Sequence, residues 1–81
     1  MRLDKFLKIS RLIKRRTVAK EACDGKRVSL NGKIAKAGDE VAIGDIIEIR
    51  FGERLIKAKI NDIKENPKKS DAKELISIIT D

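Results

Sequence analysis

The sequence predicts an α+β fold in which two short helices pack on one face of a small, twisted antiparallel sheet. Its apolar residues recur at helical spacing as far as Gly25 and then alternate with polar residues, which is the period of a half-buried strand. Turn residues divide the alternating part into short stretches. A chain of 81 residues makes one domain with a thin core.

Two helices are predicted before Gly25. Leu3, Phe6 and Leu7 are three and four residues apart, so they form one face of a short first helix. We expect Thr17 to cap the N-terminus of a second helix and Gly25 to close it in the left-handed conformation. The second helix then has an apolar face made of Val18, Ala19, Ala22 and Cys23.

The strands are predicted after Gly25. Asn31-Gly32 is the strongest hairpin signal, because both positions of such a turn favour a positive φ. It joins a strand that contains Val28 and Leu30 to a return strand that begins at Lys33-Ile34. Gly52-Glu53 marks a second turn between two alternating stretches, whose apolar positions are Ile47, Ile49 and Phe51, then Ile56, Ala58 and Ile60.

The C-terminal part is predicted to be a polar hinge followed by a short helical segment. Asn61–Ser70 is polar and contains the only Pro. Helical spacing of apolar residues predicts a helix over Asp71–Thr80. The β-branched content of Leu75–Ile79 keeps a strand as an alternative. We therefore predict a domain over residues 1–60 and an appended segment over residues 61–81.

Positive charge is concentrated in the N-terminal part of the chain. The first 36 residues contain twelve Lys and Arg against three Asp and Glu, so they carry +9, and the remainder carries −2 of the net +7. A field concentrated at one end attracts a polyanion, and nucleic acid is the usual one.

Several classes of function are excluded by composition. The chain contains no His and one Cys, which excludes His-based acid–base catalysis and the usual zinc sites. We expect no catalytic residue, no metal and no cofactor. Cys23 is expected to be a buried small hydrophobe, and the missing disulfide partner fits a cytoplasmic protein. No apolar run is long enough to cross a bilayer or resembles a signal peptide, and Asp4 argues against a membrane-surface helix at the start of the chain.

The candidate site is a basic patch built from the two helices and the connector between them. Arginine donates two parallel hydrogen bonds to phosphate, and the N-terminus of the second helix adds free backbone N–H groups. Asp4 is expected to organise the patch by pairing with Arg2, Lys8 or Arg11. The predicted RNA-binding residues are Arg2, Lys5, Arg11, Lys14, Arg15, Arg16 and Lys20, with a second contact line at Lys26 and Arg27.

The scarcity of aromatic residues favours one class of nucleic acid. Only Phe6 and Phe51 are aromatic, and proteins that bind single strands usually stack bases on aromatic rings. The patch is therefore expected to contact the backbone and shape of structured RNA. Asn31 is first of all a turn residue that could also touch RNA.

Five sequence elements occur in order, namely Arg2-Leu3-Asp4-x-x-Leu7, Ser10-Arg11, Arg16-Thr17-x-Ala19, Gly25-x-x-Val28-x-Leu30-Asn31-Gly32 and Gly44-Asp45-x-Ile47. Together they resemble the S-four RNA-binding domain, which is named for the small-subunit ribosomal protein. The resemblance covers about Met1–Ile60 and implies an S-four-like (αL-motif) RNA-binding fold. No catalytic domain of the pseudouridine synthases, which share this domain, is present.

The whole chain is similar to a narrower family, the stand-alone RqcP (YabO-type) factors of ribosome-associated quality control. That resemblance implies a non-enzymatic factor that binds a stalled large ribosomal subunit through rRNA and peptidyl-tRNA. We expect the protein to be a monomer. It implies support for alanine tailing of the stalled chain by a partner elongation factor. It also implies that Arg2 and Arg16 contact rRNA and tRNA, and that Asp4 holds the first helix in place.

Three other functions stay open from the sequence. The first is a heat-shock-type factor that recycles split large subunits, and the second is an accessory subunit of an rRNA-modifying enzyme. The third is a DNA-binding protein, which would prefer duplex DNA to structured RNA at matched salt.

Overall fold

A computed structural model describes residues 1–79 of the chain. It has the predicted architecture, with helices packed on one face of an antiparallel sheet. The helices are α1 (Leu3–Ile9), α2 (Arg16–Asp24) and α3 (Ala72–Leu75), and a 3₁₀ turn covers Lys69–Asp71. The strands are β1 (Val28–Leu30), β2 (Lys33–Ile34), β3 (Ile46–Phe51), β4 (Arg54–Ile60) and β5 (Ile76–Ile78).

The N-terminus of α1 is closed by the loop that precedes β3. The N–H groups of Leu3 and Asp4 donate to the carbonyls of Asp39 and Ala37, at 2.8 and 3.1 Å. The next N–H, that of Lys5, donates to the Asp4 carboxylate at 2.8 Å. Because its first N–H groups are already satisfied, α1 does not offer a free helix end to an anion.

Both ends of α2 differ from the sequence prediction, the N-cap by two residues and the left-handed residue by one. Thr17 is not the N-cap, because the helix already begins at Arg16 and Arg15 takes the capping position. Gly25 is not left-handed, since its φ is −79° and Lys26 has φ +60° instead. Lys26 and Arg27 donate their N–H groups to the carbonyls of Cys23 and Ala22, at 3.0 Å each, which is a Schellman ending with Lys26 at the left-handed position.

The sheet has the strand order β2-β1-β3-β4-β5, and all neighbouring strands are antiparallel. The β1–β2 hairpin turns at Asn31 and Gly32, with φ of +52° and +85°, as predicted. The Asn31 amide also donates to the Asp45 carboxylate at 3.0 Å and accepts from the Ile46 N–H at 2.9 Å. Asn31 and Asp45 therefore both act as turn residues that join two loops.

One face of the sheet is buried under the helices. Phe6 and Leu7 of α1 lie in a single core with residues of the sheet and of α3, and all of these central side chains are fully buried. The opposite face carries polar cross-strand pairs such as Glu48 and Lys57, whose charged groups are 3.8 Å apart. The sheet residues of the core include Val28, Ile47, Ile49 and Ile60.

The C-terminal segment joins the same sheet. The predicted helix is correct only for Ala72–Leu75, and the alternative strand forms at Ile76–Ile78, where it pairs with β4. Leu75 is fully buried in the core, and β-branched residues after it fit an extended strand better than a helix. The predicted helix end at Thr80 lies outside the described residues. The division of the chain at residue 60 stays a prediction.

Cys23 is buried on the inner face of α2, as predicted. Burial, followed by the negative charges of Asp4, Asp24 and Asp39, raises the pKa of its thiol to about 11. At neutral pH the side chain is therefore a protonated, apolar group. Within residues 1–79 the structure contains no helix whose length and apolar character would let it cross a membrane.

Candidate nucleic-acid interface

A buried carboxylate links the starts of α1 and α2. Asp4 is 3% exposed. Arg2 donates to its two carboxylate oxygens from Nε and Nη2 at 3.3 and 3.4 Å, and Arg16 donates to Oδ1 from Nη2 at 3.4 Å. The sequence predicted Arg2 as a partner but offered Lys8 or Arg11 as the others, and Arg16 was missed as a partner. No local pattern predicts this contact, because Asp4 and Arg16 are twelve positions apart in the sequence and meet only in the folded chain.

The two arginines keep Asp4 ionised despite its burial. Burial on its own raises the pKa of this carboxyl. The Arg16 hydrogen bond, the Lys5 N–H and the positive charges of Arg16 and Arg2 outweigh burial, so the pKa lies below its ordinary value. About half of each arginine side chain stays exposed. Asp4 therefore fixes two guanidinium groups beside each other while their outer edges remain free to bind a ligand.

The connector between α1 and α2 presents Arg11 in a strained conformation. Arg11 has φ +64°, in the left-handed region that non-glycine residues avoid. Its N–H donates to the Lys8 carbonyl at 3.0 Å, while its side chain is exposed. Such strain persists where the surrounding structure imposes it, and it is common at functional sites.

Arg11 and Arg16 line one open groove of about 790 Å³, here called the basic groove. Residues of α1, of the connector and of the start of α2 form one wall, and residues 65–69, which reach the first residue of the 3₁₀ turn, form the other. Among the described residues the lining carries seven positive side chains and one carboxylate. The cations are Lys5, Lys8, Arg11, Lys14, Arg16, Lys68 and Lys69, and the remaining lining residues are Ile9, Glu65, Asn66 and Pro67.

The structure brings together only part of the predicted patch. Lys5, Arg11, Lys14 and Arg16 line the basic groove. Arg2 is joined to it through Asp4. The exposed residues Arg15 and Lys20 lie on α2 or at its start without lining the groove, and Lys26 and Arg27 line a separate, smaller depression with Arg50.

Three lining cations were not among the predicted site residues. Lys8 was named only as a possible partner of Asp4, and Lys68 and Lys69 were placed in a polar hinge. The signal in the sequence is the Lys68-Lys69 pair, which makes a local basic run in a part of the chain that is acidic overall. Only the fold shows that this pair faces the N-terminal cations.

The arrangement suits an extended polyanion with many phosphates. A groove lined by charges of one sign concentrates the field and raises the local concentration of an anion. α2 begins beside the groove without a side-chain cap or an acidic residue in its first turn among the described residues, so its positive dipole end adds to the field. No aromatic side chain lines the groove as described, so contacts to phosphate and sugar are favoured over base stacking.

Replacing Arg11 with Gly should weaken RNA binding and at the same time stabilise the fold. Glycine relieves the left-handed strain at the expense of a more flexible unfolded chain, so the free energy of unfolding should rise by up to about 1 kcal/mol. Loss of one phosphate contact should reduce the slope of log affinity against log salt by roughly 0.7–0.9. Urea unfolding and a salt titration of RNA binding measure the two effects.

The matched control is Lys26→Gly, which changes the other basic residue with a left-handed φ, outside the basic groove. It should stabilise the fold by a similar amount. A salt slope that Arg11→Gly leaves unchanged would contradict the placement of Arg11 at the phosphate-binding surface. A reduced slope in Lys26→Gly would support the predicted second contact line.

The family model of the S4 domain, the S-four domain of the sequence analysis, matches residues 1–47. The chain belongs to the S4 domain family. The match includes α1, the connector, α2 and the first hairpin, so it covers the helical wall of the basic groove and not the wall formed by residues 65–69.

The chain is also similar over nearly its full length to curated proteins. It is 51% identical over 79 residues to the RQC P-site tRNA stabilizing factor of Bacillus subtilis, covering 98% of this chain and 92% of the relative. It is 53% identical over 78 residues to the protein of the same name from Halalkalibacterium halodurans. That alignment covers 96% of this chain and 89% of the relative. The family that the full-length sequence pattern predicted is thereby confirmed.

A solved structure shares the whole described fold. The trimeric structure of Vibrio cholerae Heat Shock Protein 15 superposes with a TM-score of 0.88 at 31% sequence identity, and it covers 98% of this chain and 81% of that one. The predicted S-four-like fold is confirmed by this likeness and by the family match.

Proposed function

We propose that this protein binds tRNA in the P site of a large ribosomal subunit during ribosome-associated quality control. The observation that carries the proposal is the basic groove beside the Asp4-anchored pair Arg2 and Arg16. Phosphates are what such a groove binds best, and the relatives' name specifies which RNA they stabilise. The protein contributes binding, while bond formation belongs to the ribosome.

The proposal extends to the consequence of binding. By holding tRNA in place on a stalled subunit, the protein supports the addition of alanine residues to the C-terminus of the stalled chain by a partner elongation factor. It works in the cytoplasm as a non-enzymatic monomer and contacts rRNA of the large subunit as well as tRNA. The family resemblance implies the tailing role, and the relatives' name supports the binding of tRNA.

Sedimentation of the tagged protein through a sucrose gradient tests the proposal. The wild type should migrate with free large subunits, and those fractions should contain tRNA and the tailing factor. The variant Arg16→Gln should stay at the top of the gradient, whereas Arg54→Gln, which removes an exposed arginine outside the groove, should migrate like the wild type. Wild-type protein that stays at the top of the gradient would contradict binding to the ribosome.

Purified large subunits that carry P-site tRNA allow a sharper measurement. If about five phosphates are engaged, log affinity should fall with log salt at a slope of roughly −3.5 to −4.5, at constant magnesium. A nearly flat response would contradict binding through the basic groove.

Recycling of split large subunits is the second candidate function, and the likeness to Heat Shock Protein 15 favours it. It predicts binding to large subunits that is unchanged in cells without the tailing factor, and alanine tailing that is unchanged in cells without this protein. Loss of alanine tails on deletion of this protein would decide for the first proposal.

A further inference from the structure

We propose that the C-terminal segment Glu65–Lys69 is a second RNA-binding wall, and that Lys68 and Lys69 contact phosphates of the same RNA that the helical wall holds. This inference rests on the proposed function and adds binding residues that lie outside the matched S4 region. The two lysines line the same basic groove as residues of α1 and the connector. An RNA backbone that enters the groove is then held from both sides.

The chain is anchored on either side of the segment, so the wall is held against the fold. Before the segment, the Asn61 N–H donates to the Leu75 carbonyl at 2.8 Å, and the Asn61 amide donates to the Ser77 hydroxyl at 2.6 Å. At its end, the N–H of Lys68 donates to the Asp71 carboxylate at 3.1 Å, which fixes Lys68 at the start of the 3₁₀ turn. Leu75 then fixes this end in the core, where it is fully buried.

An ion pair connects the two walls across the groove. Lys5 of α1 donates to the Glu65 carboxylate at 2.6 Å, and most of the Glu65 side chain is exposed. An exposed pair of this kind contributes little to stability and is screened by salt. A phosphate that enters the groove competes with Glu65 for Lys5. Glu65 therefore pairs with Lys5 in the free protein and releases it to RNA on binding.

The charges at the wall determine what it recognises. Lys68 and Lys69 are exposed and offer compact ammonium groups, which bind phosphate as point charges without sequence preference. The wall should therefore increase affinity for any RNA backbone that follows the groove. It should leave base preference unchanged.

The test compares two double variants by binding to purified tRNA and to large subunits carrying P-site tRNA. Lys68→Gln/Lys69→Gln should lower affinity by roughly 20-fold at 0.15 M salt and reduce the log–log salt slope by about 1.4–1.8, because two phosphate contacts are lost. The control Lys57→Gln/Lys59→Gln removes the same two charges from β4, outside the groove. It should change affinity by less than about threefold.

The outcomes separate this inference from the proposed function. If the Lys68→Gln/Lys69→Gln variant binds as tightly as the control while Arg16→Gln still binds more weakly, the proposed second wall is overturned and the proposed function is left standing. Wild-type protein that binds neither probe would overturn both proposals. Melting curves check that the substitutions in both double variants leave the fold intact.

Glu65→Gln tests the exchange at Lys5. Removing the carboxylate frees Lys5 and makes the groove more positive, so affinity at low salt should rise roughly threefold to tenfold. If the affinity stays the same or falls, the proposal that phosphate displaces Glu65 from Lys5 is overturned.

Discussion

Replacing Arg16 with Gln is expected to weaken binding to large subunits carrying P-site tRNA by roughly 30-fold. A charge-assisted hydrogen bond contributes about 2 kcal/mol, and each 1.4 kcal/mol is a tenfold change in affinity. Arg16 lines the basic groove and is held by Asp4, so its guanidinium meets the phosphate without first being ordered. Equilibrium binding at fixed salt and magnesium measures the change.

Glutamine is chosen because of what the structure places next to Arg16. Charge reversal to Glu would set a second carboxylate against the buried Asp4, and like charges that close destabilise the fold. Loss of binding could then reflect loss of folding. Gln keeps a side chain that can donate a hydrogen bond to Asp4.

Arg54→Gln is the matched control, since Arg54 is exposed at the start of β4 and does not line the groove. It should alter affinity by less than about threefold. If Arg54→Gln weakened binding as much as Arg16→Gln, net charge rather than the groove would be responsible.

Replacing Asp4 with Asn is expected to lower the free energy of unfolding by about 2 kcal/mol at pH 7. The variant keeps the size of the side chain and an acceptor for the Lys5 N–H. It loses the negative charge that holds Arg2 and Arg16, and those two arginines then repel each other without a counter-charge. Urea unfolding measures the loss.

The pH dependence of this loss has a defined direction. The pKa of Asp4 is lower in the folded protein than its ordinary value of 3.8, so folding favours the ionised carboxyl. Its contribution is fully present above that ordinary value and disappears as the pH falls through the folded pKa. The difference in stability between wild type and Asp4→Asn should therefore be constant near neutral pH and shrink in acid.

Two controls make the Asp4 result specific. Asp24→Asn, an exposed acid at the end of α2, should change stability by less than about 0.5 kcal/mol. A double-mutant cycle between Asp4→Asn and Arg16→Gln should give a coupling of about 1 kcal/mol. Additive effects would show that Asp4 and Arg16 do not act through each other.

Local patterns in the sequence predicted much of the fold. Leu3, Phe6 and Leu7 form the buried face of α1, as their spacing required. Asn31 and Gly32 take the positive φ values that their residue types favour. These predictions succeed because periodicity and turn chemistry depend on neighbours within a few positions of the chain.

Predictions near the ends of elements were less accurate. The left-handed residue after α2 is Lys26 rather than Gly25, although glycine adopts that conformation more easily. Leu75 ends a helix and Ile76 begins a strand, because β4 offers a free edge with which the last segment pairs. Backbone hydrogen bonding with a strand distant in the sequence outweighed the local helix propensity of this segment.

The fold class, the family and the concentration of positive charge near the N-terminus could all be predicted from the amino-acid sequence. Charge density, spacing and turn residues are properties of the linear chain. Which cations lie together depends on the folded chain. Folding pairs Arg16 with Asp4, places Lys26 and Arg27 outside the basic groove, and brings Lys68 and Lys69 into it. Those groupings depend on packing between segments up to sixty residues apart, as the bond between Lys5 and Glu65 shows, and no local pattern encodes such a distance.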